Sequence, residues 1–247
     1  MSLADKNSTV TIDPSSQAGV SDWHVNGTDH LAQQWFWVGS GSGPEVSLDA
    51  LTLNSASTSD DDFDPGDEVA RLAYSGTGFD INVTLELTGS NGTSSKIGEI
   101  IEIINTSSTQ SLSLRFFQYN DLELGGTQDD ALGYIITPPG NTAIQADLGG
   151  VFVSETAATP VPDHREVALG AATLTSLNDG VATTLSDNTG PLGPGDLTWA
   201  FQWDVNLPAD GTLIISKNKN LTIPTPAAGL AGTALLALAA ARRRRAL

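Results

Sequence analysis

The chain has 247 residues, no cysteine and a formal net charge of −18. Without the four arginines near its C-terminus it carries 7 basic and 29 acidic residues, a net charge of −22, which excludes a phosphate-binding surface and hence nucleic acid as a partner. The lack of cysteine excludes disulfides and thiol chemistry, so an apolar core must stabilise the fold, and the length allows one large domain.

Alternating apolar and polar residues predict β-strands along most of the chain. Two segments, residues 79–88 and 197–206, alternate strictly, so each is predicted to bury one face and to expose the other. Weaker strand candidates are residues 31–38, 46–53, 69–74, 97–104, 112–119, 134–137, 151–154, 166–175 and 212–216. Turns rich in glycine, proline and asparagine separate these segments, and no amphipathic helix is predicted before the C-terminal tail.

The number and spacing of the strands predict an all-β fold, a large antiparallel β-sandwich of about a dozen strands. Residues 1–216 are predicted to form this domain. Residues 217–247 are predicted to form a stalk, over 217–222, and a C-terminal sorting or anchor segment. The apolar part of that segment, 227–241, is predicted to be a hydrophobic helix.

A cluster of carboxylates surrounds Pro65 and Gly66 in a short loop. Asp60, Asp62 and Asp64 have a spacing that lets a loop offer several oxygens to a hard cation, so they form a weak candidate calcium site. The alternative is a solvated acidic hairpin loop without an ion, because the loop lacks the glycine and the last glutamate of an EF-hand. The cofactor prediction is therefore either none or calcium.

Aromatic residues concentrate in the segment QQWFW. Trp35 and Trp37 share one face of a predicted strand, and Gln33 and Gln34 come directly before them. If the rings face solvent, they can stack on sugar rings while the amides bind hydroxyl groups, which makes these four residues a candidate glycan site. The alternative is that the rings fill the core of the sandwich.

No motif singles out catalytic residues. His164 lies beside Asp163 in the segment PDHRE and could act as a base or a ligand, but no nucleophile elbow, HExxH or phosphate loop accompanies it. A glycosidase needs only two carboxylates across a cleft, and the 29 acidic residues do not reveal such a pair. We therefore predict a protein without enzymatic activity.

The C-terminal tail combines three features in a fixed order. Pro224, Thr225 and Pro226 come first, and an uncharged apolar segment, 227–241, follows them. The run ends in a basic cluster, Arg242, Arg243, Arg244 and Arg245. A helix over the apolar segment would reach roughly 22 Å, and a basic end favours the cytoplasmic side of a membrane. The tail therefore predicts a sorting signal that anchors the chain at least transiently.

This three-part tail resembles that of the PEP-CTERM class of surface proteins, which a membrane protease called exosortase handles. Thr225 stands where the family has a central glutamate. Body segments such as FFQYNDLELGG (116–126) and GDLTWAFQWDVNL (195–207) also resemble uncharacterised exported proteins with such tails. The resemblance implies export. Since residues 1–20 contain no apolar run, we expect the signal peptide to precede this start.

Together these features predict an exported surface or extracellular-matrix protein with a structural or adhesive role, sorted through its tail. A glycan-binding module is the first alternative, and a carbohydrate-active enzyme is the second. The expected partners are a sorting protease of the exosortase type, a membrane that holds the tail helix, and an extracellular polysaccharide.

Overall fold

The alternating segments form two large β-sheets that pack face to face around one apolar core. The computed structural model describes residues 1–61 and 65–224 of the chain. Within these ranges the fold has 18 strands, one short α-helix and two 3₁₀ helices. The all-β prediction is therefore confirmed, and the predicted number of strands is too low.

In chain order the strands are β1 (Ser2–Asp5), β2 (Ser8–Asp13), β3 (Gly19–Val25), β4 (Thr28–Asp29), β5 (Gln33–Ser40), β6 (Glu45–Ser47), β7 (Thr52–Ser59), β8 (Val69–Gly76), β9 (Phe79–Thr88), β10 (Ser94–Asn105), β11 (Leu112–Asp121), β12 (Asp130–Ile135), β13 (Thr142–Ala146), β14 (Phe152–Thr159), β15 (His164–Leu169), β16 (Leu192–Gly195), β17 (Leu197–Leu207) and β18 (Thr212–Thr222). The helix α1 is Ala172–Leu177, and the 3₁₀ helices are Leu48–Ala50 and Leu124–Gly126.

The first sheet has the strand order β1-β2-β3-β5-β11-β17-β15, with β4 beside β3 and β6 beside β5. The second sheet has the order β16-β12-β13-β14-β18-β10-β9-β8-β7. The pairs are antiparallel except for a short parallel contact between β3 and β5. The N-terminal strands β1 to β4 were not among the predicted strands, and they extend the first sheet beyond the predicted size.

The centre of the first sheet is covered on both faces. Every residue from Leu197 to Trp203 is buried, although only alternate residues were predicted to be. On one face, Trp199 Nε1 donates a hydrogen bond to Glu155 of the second sheet. On the other face, Gln202 Oε1 accepts a hydrogen bond from the Leu185 backbone at 2.9 Å, because the segment 170–190 packs over the sheet there. The prediction that one face of this strand is exposed to solvent is therefore wrong for the first half of the strand.

Strand β18 lies in the middle of the second sheet, between β14 and β10, and it runs as far as Thr222. The predicted stalk over residues 217–222 is therefore wrong, because these residues pair with both neighbouring strands. Its two lysines and two asparagines belong to residue types that usually lie at the surface. Instead, Lys217 and Lys219 point into the sandwich, where carboxylates and amides surround them.

The predicted hydrophobic helix over residues 227–241 lies outside the described residues. For residues 1–61 and 65–224, no helix combines the length and the apolar composition that crossing a membrane requires. The helix α1 was not predicted. The candidate strand 166–175 is therefore only partly a strand. Its first residues belong to β15, and its last residues belong to α1.

Candidate functional site

The predicted sorting signal begins where the fold ends. The Ile223 backbone donates the last hydrogen bond of the sheet region, to Thr93 at 2.7 Å, and Pro224 is exposed beside Gly150. Thr225, Pro226 and the four arginines, Arg242 to Arg245, lie outside the described residues. The described part of the predicted signal is therefore one solvent-exposed proline, Pro224, two residues after the last strand.

The acidic loop is described only in part. Asp62 and Asp64 lie outside the described residues, so the calcium prediction for Asp60, Asp62 and Asp64 stays a prediction. Near this loop, the Asp61 backbone donates to Oε2 of the buried Glu68 at 3.1 Å. In the described part of the chain, no group of three histidine, aspartate or glutamate side chains is arranged to hold a metal ion.

The candidate glycan residues lie inside the protein. The side chains of Trp35 and Trp37 have no exposure to solvent, and their indole nitrogens donate to Asp49 and Asn178 at 3.1 and 3.2 Å. A sugar ring can stack only on an exposed aromatic face. The prediction of a glycan platform at Trp35 and Trp37 is therefore wrong, and the rings fill the core as in the alternative.

The two glutamines of that segment are also engaged within the protein. Gln33 Nε2 donates to the Gln17 carbonyl at 2.6 Å. The fully buried Gln34 donates to Glu99 Oε1 at 3.0 Å, across the gap between the sheets. Neither amide is therefore available to bind a sugar beside a tryptophan ring. Gln34 instead belongs to a group of polar side chains within the core.

That group, called here the buried cluster, connects the two sheets at the centre of the sandwich. Its members are Gln34, Gln118 and Asn120 of the first sheet and Glu99, Glu155, Lys217 and Lys219 of the second. The Lys217 ammonium lies 2.6 Å from Glu99 and 3.2 Å from Glu155, and it also donates to Gln118. Lys219 donates to Gln34 and, at 2.6 Å, to Asn120.

The charges of the buried cluster balance, with two ammonium groups against two carboxylates. Burial lowers the pKa of Lys219, and the Glu155 and Glu99 carboxylates oppose this shift only in part. Burial would raise the pKa of Glu155, but the two ammonium groups outweigh it and leave that pKa below its usual value. Since the cluster is closed to solvent, its chemistry is internal pairing, which positions the two sheets on each other.

A surface pocket of about 320 Å³, called here the rim pocket, opens at the edge of the sandwich. Its lining residues are Pro160, Val161, Asp163, Trp203, Asp204, Val205, Asn206, Leu207 and Leu213. They come from the β14–β15 connection, the second half of β17 and the start of β18. The volume lies at the lower end of the range of small-molecule sites, which is about 300–1,000 Å³.

Hydrogen bonds and charge contacts connect the polar side of the rim pocket to residues beside it. Asp163 Oδ2 accepts from the Asp204 backbone at 2.8 Å. His164 lies between two carboxylates, with Nδ1 2.8 Å from Asp187 and Nε2 3.8 Å from Asp204. Burial raises the pKa of Asp187, but hydrogen bonds from His164 and Arg165 together with their charges outweigh burial and lower the pKa overall. Asp187 therefore stays ionised beside the histidine at neutral pH.

The rim pocket combines groups that suit a hydroxyl-rich ligand. The exposed side chains of Asp163, Asp204 and Asn206 offer oxygens that accept hydrogen bonds from hydroxyl groups. Leu207 and Leu213 supply an apolar wall. Asp163 and the adjacent His164 stand out in the sequence, but the pocket residues of β17 and β18 begin 40 residues after Asp163, so no local motif reveals the pocket.

No family model and no curated protein sequence matches the chain. Among solved structures, a bacterial glucoamylase complexed with acarbose is similar with a TM-score of 0.58 and 10% identity, over 95% of this chain and 32% of the other. A copper-containing benzylamine oxidase from Hansenula polymorpha gives 0.52 and 7%, over 90% and 59%. A polysaccharide lyase gives 0.52 and 11%, over 90% and 34%. The chain therefore spans only part of each protein, and the likeness establishes a shared sandwich fold.

Proposed function

We propose that this chain is an exported, non-enzymatic β-sandwich that the C-terminal signal displays at the cell surface or delivers to an extracellular matrix. The position of Pro224 supports the proposal. The sheet ends at Thr222, and Pro224 is exposed two residues later, so a protease has access to the chain directly after the fold. A cut at residues 224–226 would leave every described strand intact.

In this proposal the tail acts as a temporary membrane anchor. The apolar segment 227–241 enters the membrane, and Arg242 to Arg245 hold its end on the cytoplasmic side. A protease of the exosortase type then cuts near Pro224 and Pro226 and releases or transfers the sandwich. The acidic body favours solubility outside the cell and disfavours adsorption to anionic lipid.

The sorting proposal is tested by replacing the four arginines with glutamine in the native host. We expect the variant to lose retention and correct processing, while a variant with four lysines behaves like the wild type because it keeps the charge. Mass spectrometry of both termini in each cell fraction gives the readout. An intact wild-type chain that stays in the cytosol, or glutamine variants processed normally, would contradict the proposal.

A second candidate function, glycan binding, is favoured by the rim pocket. Its size and its carboxylate and amide groups suit a saccharide unit, and two structures with the same sandwich fold are a glucoamylase complexed with acarbose and a polysaccharide lyase. Replacing Asp163 and Asn206 with alanine is expected to abolish binding on a glycan array. The same exchange at Asp179 and Asn220, which are exposed elsewhere, serves as the control.

The proposed absence of catalysis is tested on the same pocket. Asp163 and Asp204 are the carboxylates that line it. We expect no release of reducing ends from polysaccharides that the protein binds. Turnover by the wild type that disappears in Asp163→Asn or Asp204→Asn, with folding preserved, would favour the alternative of a carbohydrate-active enzyme.

A further inference from the structure

Apart from the two- and three-residue strands β4 and β6, the two described sheets end in four edge strands, and three of these are protected. At β1, the Ala4 backbone donates to the Asp67 carbonyl at 2.9 Å. At β15, Asn188 accepts from the Val167 backbone at 2.8 Å and donates from its side chain to the Val167 carbonyl at 2.7 Å. The edge strand β16 is only four residues long and contains Pro194. Covered, short or proline-containing edges resist pairing with another chain.

The fourth edge strand, β7, has none of these protections. It is eight residues long, Thr52–Ser59, with the sequence TLNSASTS, and its first six residues are exposed. It contains no charge and no proline. Among the hydrogen bonds of the described residues, its backbone pairs with β8 alone. After a bulge at Asn54, the stretch Ser55–Ser59 pairs with β8 in regular register, so its outer side is a regular edge.

We propose that β7 pairs antiparallel with β7 of a second copy of this chain, across a two-fold axis, so that two second sheets become one continuous sheet. An unpaired strand edge presents a row of N–H and C=O groups to which another strand can add. The small side chains of β7 let a second strand approach closely. A two-fold axis satisfies both edges at once and closes the assembly as a dimer.

The charge distribution favours a second copy of this chain as the partner at the β7 edge, and it favours antiparallel pairing of the two β7 strands. Two copies with a strongly negative body repel each other, and β7 is an uncharged strip on which they can meet. Asp60 and Asp61 follow β7 directly. Parallel pairing would place these acidic ends side by side, whereas antiparallel pairing separates them by roughly 25 Å, at about 3.3 Å per residue. At the other end, the Asp49 carboxylate is occupied by Trp35 Nε1.

The pairing is independent of the tail and of the rim pocket, and it goes beyond the proposed display function. Dimers on a surface would present two sandwiches in a fixed relative orientation. Two binding faces joined in this way act with a higher effective concentration than either face alone. A structural or adhesive protein would gain this property without any additional domain.

Sedimentation velocity of the full-length protein in mild detergent, over a wide concentration series, tests the proposal. The wild type is expected to dimerise. The double variant Ser55→Lys and Ser57→Lys is expected to weaken the dimer at least about tenfold, because the two-fold axis brings like charges together. The control is Thr9→Lys and Thr11→Lys, which adds the same charges to exposed positions of the interior strand β2 and leaves association unchanged.

A charge-complementation experiment separates pairing at β7 from association through the tail. The variant Ser55→Glu and Ser57→Glu is expected to be monomeric alone and to form a mixed dimer with the lysine variant. Far-UV circular dichroism confirms that both variants are folded. Three results would overturn the proposal: a monomeric wild type at every concentration, a dimer that the lysine variant keeps at full strength, or folded variants that fail to form the mixed dimer.

Discussion

The ammonium group of Lys217 lies 2.6 Å from Oε2 of Glu99, and neither side chain is exposed to solvent. Removing both charges from water is costly, and the attraction between them compensates only when the remaining donors and acceptors are also paired. Gln118 and Glu155 accept from the same ammonium group, so this condition is met. Lys217 therefore satisfies acceptors on three members of the buried cluster at once.

Replacing Lys217 with methionine is expected to destabilise the protein strongly. Methionine resembles the unbranched aliphatic part of the lysine side chain, but it leaves Glu99 and Glu155 with one ammonium group between them. Breaking a buried ion pair by removing one partner costs about 3–5 kcal/mol. Urea denaturation followed by tryptophan fluorescence measures the change in the free energy of unfolding.

The matched control is Lys96→Met, because Lys96 is only half-buried and has no role in the buried cluster. Its effect is expected to stay within about 0.5 kcal/mol. Equal effects of the two substitutions would show that Lys217 is not held as an essential internal cation.

Strict alternation made β9 and β17 predictable, because one face of each strand meets the other sheet. It could not show that the second face of β17 is covered too, since the segment 170–190 that covers it lies outside the strand and leaves no mark on the strand's own pattern. The same limit applies to Trp35 and Trp37, because the same local sequence pattern is compatible with rings in the core and with rings at the surface. Only their contacts with Asp49 and Asn178 decide the matter.

Residues 217–222 were likewise predicted to be exposed, as a stalk, whereas they belong to the central strand β18. Lysine is seldom fully buried, so the residue type of Lys217 and Lys219 argues against a position in the core. Their partners, Glu99 and Glu155, are 118 and 64 residues away from Lys217 and Lys219 respectively. The alternation nevertheless indicated that both lysines are buried, because they lie in phase with Ile215 and Leu221 on the inward side of β18.

Replacing Gly19 with alanine is expected to be much more damaging than the same change at Gly27. Both glycines have a positive φ, of 58° and 81°. A Cβ at Gly19 would overlap the ring of the buried Trp35, whereas no atom lies within 4 Å of one at Gly27. Both substitutions carry about 1–2 kcal/mol of backbone strain, and overpacking adds about 1–3 kcal/mol at Gly19 alone.

Thermal and urea unfolding of the two variants measure this difference. Because the backbone strain is common to both, the difference between them reports the contacts with the Trp35 ring and the Gln34 carbonyl. Similar stability of Gly19→Ala and Gly27→Ala would mean that the Trp35 ring can move aside at little cost.

Replacing Glu45 with glutamine is expected to loosen the segment that covers the first sheet. Both oxygens of Glu45 accept from the Thr183 backbone, at 3.1 and 3.0 Å, and Oε1 also accepts from Arg115. Glutamine keeps one acceptor, but it loses the charge that Arg115 neutralises. Hydrogen exchange is expected to accelerate at residues 183–185 more than in β10. Unchanged protection there would show that Glu45 does not hold the segment in place.

The stability of the protein is expected to depend on Asp121 between about pH 4 and pH 6. Burial raises the pKa of Asp121 to about 6 from 3.8, and the Asp196 and Glu123 carboxylates contribute to the shift. Because the folded pKa is the higher one, the stabilisation is fully present below pH 3.8 and is lost as the pH rises through about 6. Asparagine cannot ionise, so Asp121→Asn should remove this loss.

The variant Asp121→Asn is therefore expected to be more stable than the wild type at pH 7.5, with a smaller difference at pH 4. Asp13→Asn is the control of opposite sign, because hydrogen bonds from Ser15 lower the pKa of Asp13 from 3.8. Its contribution is present above pH 3.8 and is lost as the pH falls through the lowered value, so the same pH interval should leave it nearly constant. Urea denaturation at both pH values gives the comparison, and a difference for Asp121→Asn that does not grow with pH would show that Asp121 ionises normally in the folded protein.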